Sequence, residues 1–91
     1  MKLEELYEII KNRRKLNPKG SYIAGLMDMG LDRIAQKVGE EAIEVIIAAK
    51  NFDKNKIVSE SADLLFHLLI LLESSGITLN DIYEELRSRN K

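Results

Sequence analysis

The chain has 91 residues, room for a single domain (1–91) with a modest core, and its 14 Lys plus Arg against 15 Asp plus Glu leave a formal net charge of -1. That balance gives no electrostatic basis for binding DNA, RNA or an anionic membrane, and the absence of cysteine excludes disulfides, thiolate zinc sites and a cysteine nucleophile. The N-terminal MKLEELYEIIKNRR is too charged for a signal peptide, and Leu64 to Leu72, interrupted by His67, falls short of the roughly 20 residues a bilayer span needs, so a cytoplasmic protein is expected.

Leu3, Leu6, Tyr7 and Ile10 mark one face of a first helix, which Asn17-Pro18-Lys19-Gly20 breaks. Ser21 then caps a short helix through Met29 that stops at Gly30. A long helix follows from about Asp32 to Lys50. Asn51-Phe52-Asp53 reads as a turn with Asp53 as N-cap, and a second long helix runs from about Lys54 to Ser74, ending before Gly76. Thr78 and Asp81 have the spacing of a capping box for a last helix. No alternating strand pattern appears, so the fold class is all-α: a small bundle with two long antiparallel helices joined by a short turn.

The Asp32–Lys50 segment carries an apolar stripe of Ile34, Val38, Ala42, Val45 and Ala49. Ile43, Ile46 and Ile47 add apolar surface on the other side. From Asp63 to Leu72 the next helix is apolar nearly all round. A chain this short hides so much apolar surface most simply in a homodimer, with an interface expected to include some of Ile43, Ile47, Phe66 and Ile70.

Acidic residues interrupt these apolar helices. Glu41 and Glu44 are three apart and share a face of the first long helix; Glu60 and Asp63 do the same on the second. Antiparallel packing lets the two pairs meet across the seam. One Glu-x-x-Glu pair is ordinarily a solvated face. Two pairs on adjacent, otherwise apolar helices also suit a hard divalent ion, Mg²⁺ or Mn²⁺, which removes the mutual repulsion of crowded carboxylates. A carboxylate-bridged di-iron bundle would want a Glu-x-x-His pair on each of two helices, and the one histidine, His67, stands four residues after Asp63. His67 itself reads as a hydrogen-bonded core residue rather than a ligand. Lys37 lies one turn before Glu41, and Arg33 one turn before Lys37. Singly each is a surface charge or an i,i+4 partner; together they put cations beside the acids, as a polyphosphate requires. No glycine-rich phosphate loop is present. Arg13-Arg14-Lys15 and Lys19 read as solvated charge.

The spacing Glu40-Glu41-x-x-Glu44, fifteen residues, Glu60-x-x-Asp63 resembles the motif of the MazG-type all-α nucleotide pyrophosphohydrolases. The flanking Gly20-Ser21-Tyr22, Gly30-Leu31-Asp32-Arg33-Ile34, Gln36-Lys37-Val38-Gly39, Ala48-Ala49-Lys50 and Ala62-Asp63-Leu64-Leu65-Phe66-His67 are similar to the phosphoribosyl-ATP pyrophosphohydrolase family, in its stand-alone form, across essentially the whole chain. The resemblance implies hydrolysis of phosphoribosyl-ATP to phosphoribosyl-AMP and pyrophosphate, in histidine biosynthesis. It implies Mg²⁺ on Glu41, Glu44, Glu60 and Asp63, and Glu40 as the group that orients or deprotonates water. Arg33 and Lys37 would hold phosphates, with Lys50, Ser21 and Tyr22 as further contacts. Two rivals stand beside it: a house-cleaning pyrophosphohydrolase of non-standard nucleoside triphosphates, which would share the acids, and a non-catalytic helical dimerisation module.

Overall fold

A computed structural model describes residues 1–90. It contains α1 (Leu3–Leu16), α2 (Tyr22–Met29), α3 (Leu31–Lys50), α4 (Lys54–Ser74) and α5 (Leu79–Arg89), with no strand among the described residues. The chain is thus all-α, and its two long helices pair as an antiparallel hairpin. No single helix among the described residues is long and apolar enough to cross a membrane.

The helix ends follow local chemistry. Asn17 closes α1 in the left-handed region (φ 46°), just ahead of Pro18. The Ser21 hydroxyl accepts from the Ala24 N–H at 3.2 Å and caps α2. Gly30 (φ 96°, ψ 173°) ends α2 and starts α3 in a backbone region that essentially only glycine adopts, so it sets how α2 crosses the hairpin. Asp53 caps α4 through the Lys56 N–H at 3.1 Å, and Thr78 and Asp81 form the capping box of α5.

The turn between α3 and α4 holds an unusual residue. Asp53 N–H reaches Ala48 O at 3.2 Å and Phe52 N–H reaches Ala49 O at 3.1 Å, the paired bonds of a Schellman ending. Glycine normally fills the left-handed position of that motif. Here Phe52 does (φ 55°), and its ring is 91% exposed.

The core lies at the other end of the hairpin. Tyr7 and Ile10 of α1, Ile23 and Leu26 of α2, Ile34 at the start of α3, and Leu69 and Ile70 late in α4 form one cluster. Ile70 is 0% exposed, so it belongs to this core and cannot contribute to an interface; Phe66 is half-buried against the same cluster. Of the four interface candidates, Ile70 is thereby excluded. Ile70 and Phe66 sit on the part of α4 that α1 and α2 cover, whereas Ile43 (59%) and Ile47 (53%) face solvent. The inner register of α3 also differs from the expected stripe. Ile34, Glu41 and Ala48 are its buried residues, and Ala49 is exposed. A helix gains only about 100° per residue, so a stripe followed over twenty residues drifts by a position.

Candidate active site

Three acids converge where α3 meets α4. Glu41, Glu60 and Asp63 each place a carboxylate oxygen within 4.8 Å of the others. Glu41 reaches this point from the buried register of α3 and is only 9% exposed. Its charge is balanced by Lys37, whose Nζ lies 3.4 Å from Glu41 Oε1. Glu44 stands outside the triad, beside Glu60. Interaction with the Glu44 carboxyl raises the Glu60 pKa above the ordinary carboxylate value. Desolvation pushes the same way, as does repulsion from Glu44, Asp63 and Glu41. No Lys or Arg pairs with Glu44, Glu60 or Asp63 among the described residues. Together, then, the four acids make an undercompensated anionic seam.

Glu40 does not enter the seam. It is half exposed, 3.9 Å from both Arg33 Nη1 and Lys37 Nζ, and it accepts from Gln36 Nε2 at 3.4 Å. The structure therefore brings Glu40, Arg33 and Lys37 together as one polar cluster on the α2 side of the acids. There Arg33 and Lys37 line a cleft of about 240 Å³ with Ser21, Tyr22, Gly25 and Met29. Lys50 stands apart, exposed at the far end of α3 and lining neither cleft beside the acids.

His67 explains how α2 is held over the hairpin. Its Nδ1 donates to the Asp63 carbonyl at 2.8 Å, which leaves Nε2 to accept from the Tyr22 hydroxyl at 2.7 Å. The ring is buried and meets Tyr22 and Phe66 edge-on. His67 is thus a satisfied core histidine anchored to the backbone of an acid-bearing turn, and the Tyr22 hydroxyl is engaged in packing α2 rather than free.

A second cleft, of about 320 Å³, opens on the turn side of the acids. Three carboxylates, Glu44, Asp53 and Glu60, line it with Ile47, Asn51 and Lys56. The readings of single helices overlooked Lys56. The signal was present: Lys56 precedes Glu60 by four residues, as Lys37 precedes Glu41.

Residues 3–90 match the sequence profile of the family described as phosphoribosyl-ATP pyrophosphohydrolase. The chain is 56% identical over 90 residues to the histidine biosynthesis bifunctional protein HisIE of Caldanaerobacter subterraneus, covering 98% of this chain and 43% of that protein. It is 45% identical over 89 residues to the HisIE of Vibrio cholerae, covering 98% of this chain and 42% of that one. The chain therefore spans about two fifths of the length of these bifunctional relatives. The phosphoribosyl-ATP pyrophosphatase of Streptococcus sanguinis is 49% identical over 87 residues, with 96% of this chain and 84% of that protein covered. On this match, which runs through both acid-bearing helices and nearly the full chain, the protein belongs to the phosphoribosyl-ATP pyrophosphohydrolase family.

Proposed function

We propose that this chain hydrolyses phosphoribosyl-ATP to phosphoribosyl-AMP and pyrophosphate, as a step of histidine biosynthesis in the cytoplasm, using Mg²⁺ or Mn²⁺ and acting as a homodimer. The observation that carries the reading is the convergence of Glu41, Glu60 and Asp63, with Glu44 beside them, next to a cleft lined by Arg33 and Lys37. The donor set fits the ion. Opposite oxygens around a magnesium ion with bonds of about 2.1 Å lie about 4.2 Å apart. The three carboxylate oxygens lie within 4.8 Å of one another, so small side-chain movements suffice to bring them onto one ion. All donors are oxygen, as hard divalent ions prefer. When bound, the ion would neutralise phosphate oxygens and lower the pKa of a coordinated water.

The remaining work falls to the chain's own side chains. Arg33 and Lys37 hold the β and γ phosphates that leave as pyrophosphate, since cations placed there stabilise the charge growing on the leaving group. Glu40 is their counterion in the free protein. A phosphate entering the cleft competes with it for both cations, which frees the Glu40 carboxylate to accept a hydrogen bond from water. The direct test incubates the pure protein with phosphoribosyl-ATP, ATP and dUTP, with and without Mg²⁺, and measures pyrophosphate. Release from phosphoribosyl-ATP alone, and only with the ion, is the expected result. Equal release from dUTP would favour a house-cleaning enzyme, and no release from any substrate would leave a helical dimerisation module. For the homodimer, light scattering at micromolar concentration is expected to give twice the chain mass, and Ile43→Glu with Ile47→Glu to return it to one.

A further inference from the structure

The two acid-bearing helices repeat one pattern. On α3 it reads Lys37, three residues, Glu41, two residues, Glu44; on α4 it reads Lys56, three residues, Glu60, two residues, Asp63. The helices run antiparallel, so the two lysines leave the acidic seam in opposite directions. Lys37 stands on the α2 side with Arg33, and Lys56 stands on the turn side in the second cleft.

Lys56 is chemically the freer of the two. Lys37 is balanced by Glu40 and Glu41, whereas Lys56 makes no ion pair among the described residues. Two carboxylates, Asp53 and Glu60, line the same cleft. The Asp53 carboxylate accepts from the backbone N–H of Lys56 at 3.1 Å, yet neither Asp53 nor Glu60 reaches ion-pair distance of its ammonium. A free ammonium therefore sits in a cleft of about 320 Å³ that Glu44 and Glu60 of the acid cluster share with Asp53.

The spacing sets the shape of a ligand that engages both ends. With Glu44 beside Glu60, Lys37 lies seven residues to one side of that level and Lys56 four to the other, roughly 16 Å apart along the helix axes at 1.5 Å per residue. An elongated molecule with an anion at each end and a cleavable anhydride between them matches this layout. Phosphoribosyl-ATP has that form, with a triphosphate on one ribose and a monophosphate on a second ribose beyond the base. A nucleoside triphosphate has only one anionic end. The cation count orients it: Arg33 and Lys37 suit the more highly charged pyrophosphate end, and the single Lys56 suits a monophosphate.

We propose that Lys56 and the turn-side cleft bind the phosphate on the second ribose, and so select phosphoribosyl-ATP over triphosphates that end at the base. The inference rests on the proposed hydrolase activity, but its test separates the two. Calorimetry in Mg²⁺ compares binding of phosphoribosyl-AMP and AMP by the parent, Lys56→Ala, Lys56→Arg and Lys37→Ala, with melting temperatures to show that each variant is folded. The parent is expected to prefer phosphoribosyl-AMP. Lys56→Ala is expected to lose about tenfold or more of that affinity, the size of one charge-assisted contact, while AMP binding changes by under about twofold. Lys56→Arg should recover most of the loss, and Lys37→Ala should leave the preference in place. A Lys56→Ala variant that keeps the full preference, or that loses AMP affinity equally, overturns the subsite. A parent that shows the preference yet releases no pyrophosphate from phosphoribosyl-ATP overturns the activity and leaves the subsite standing.

Discussion

Glu60→Gln separates a metal site from a merely acidic surface. Glu60 lies among the other three acids, all of which push its pKa up, and it has no cationic partner among the described residues. Its neutralisation therefore relieves repulsion without orphaning a Lys or Arg. In chelator the variant should melt at the parent's temperature or above it. Mg²⁺ reverses the comparison. At 100 times its Kd a ligand adds about 2.7 kcal/mol. For a domain of this size that is roughly 10–20 °C in Tm. Loss of a ligand carboxylate should weaken the ion at least about tenfold, by analogy with the tenfold to hundredfold seen for outer partners. The same Mg²⁺ concentration then adds about 1.4 kcal/mol or less. Parent and variant are melted by circular dichroism with chelator and with excess Mg²⁺, beside a pyrophosphate-release assay. The pH dependence gives an internal control. The folded-state pKa of Glu60 is raised above 4.5, so between those values the native chain holds more protons than the unfolded one. The stability this group contributes is present below pH 4.5 and is lost as pH rises through the raised value. That falling component should vanish in Glu60→Gln and in saturating Mg²⁺. A metal-free variant that is clearly less stable yet keeps its activity would refute the metal-site reasoning.

Lys37→Ala is expected to stay folded, losing no more than about 1 kcal/mol for a partly buried ion pair, and to lower kcat/KM for pyrophosphate release by about tenfold or more. An unchanged kcat/KM would return Lys37 to the role of partner for Glu41 and Glu40. Phe52→Gly, at φ 55°, should raise stability in urea by up to about 1 kcal/mol, because relief of the left-handed strain outweighs the added freedom of the unfolded chain. A loss of stability instead would show that the exposed ring is covered in the assembled protein.

The sequence made some features readable because they depend on local spacing. Glu41 with Glu44, and Glu60 with Asp63, share helix faces by the 3.6-residue period, and the Asn51–Asp53 turn forces the helices to double back, so the meeting of the acids could be read before any coordinates. Ser21, Asp53 and Thr78 were equally readable as caps. What could not be read depends on neighbours. The C-terminal half of α4 is apolar nearly all round, and periodicity does not say which side meets α1 and α2, so Ile70 looked like interface and is core. Nor does propensity put Phe52 in a left-handed conformation; the closing bonds of the α3 terminus impose it. Glu40 looked like a neighbour of the acids, but one step of about 100° turns it toward Arg33 and Lys37.

From residue 35 to residue 66 only Glu41 and Ala48 are buried, so the acid-bearing half of the hairpin has almost no apolar core of its own. A carboxylate occupies a core position of α3 there, between Ile34 and Ala48 in the buried register. Meanwhile Ile43 and Ile46 stand roughly 140–160° around α3 from Glu41, and Val58 and Leu65 stand in the same relation to Glu60 on α4; all four are exposed. Apolar surface is thus displaced to the side of each helix opposite its acids. In the proposed homodimer, a second copy packed on the Ile43–Ile46 face would supply the burial this half lacks. The acids and the exposed apolar face are in that sense one arrangement: the charge gathered between the helices excludes a conventional core there, and the apolar residues of this half face outward, where the proposed second copy would cover them.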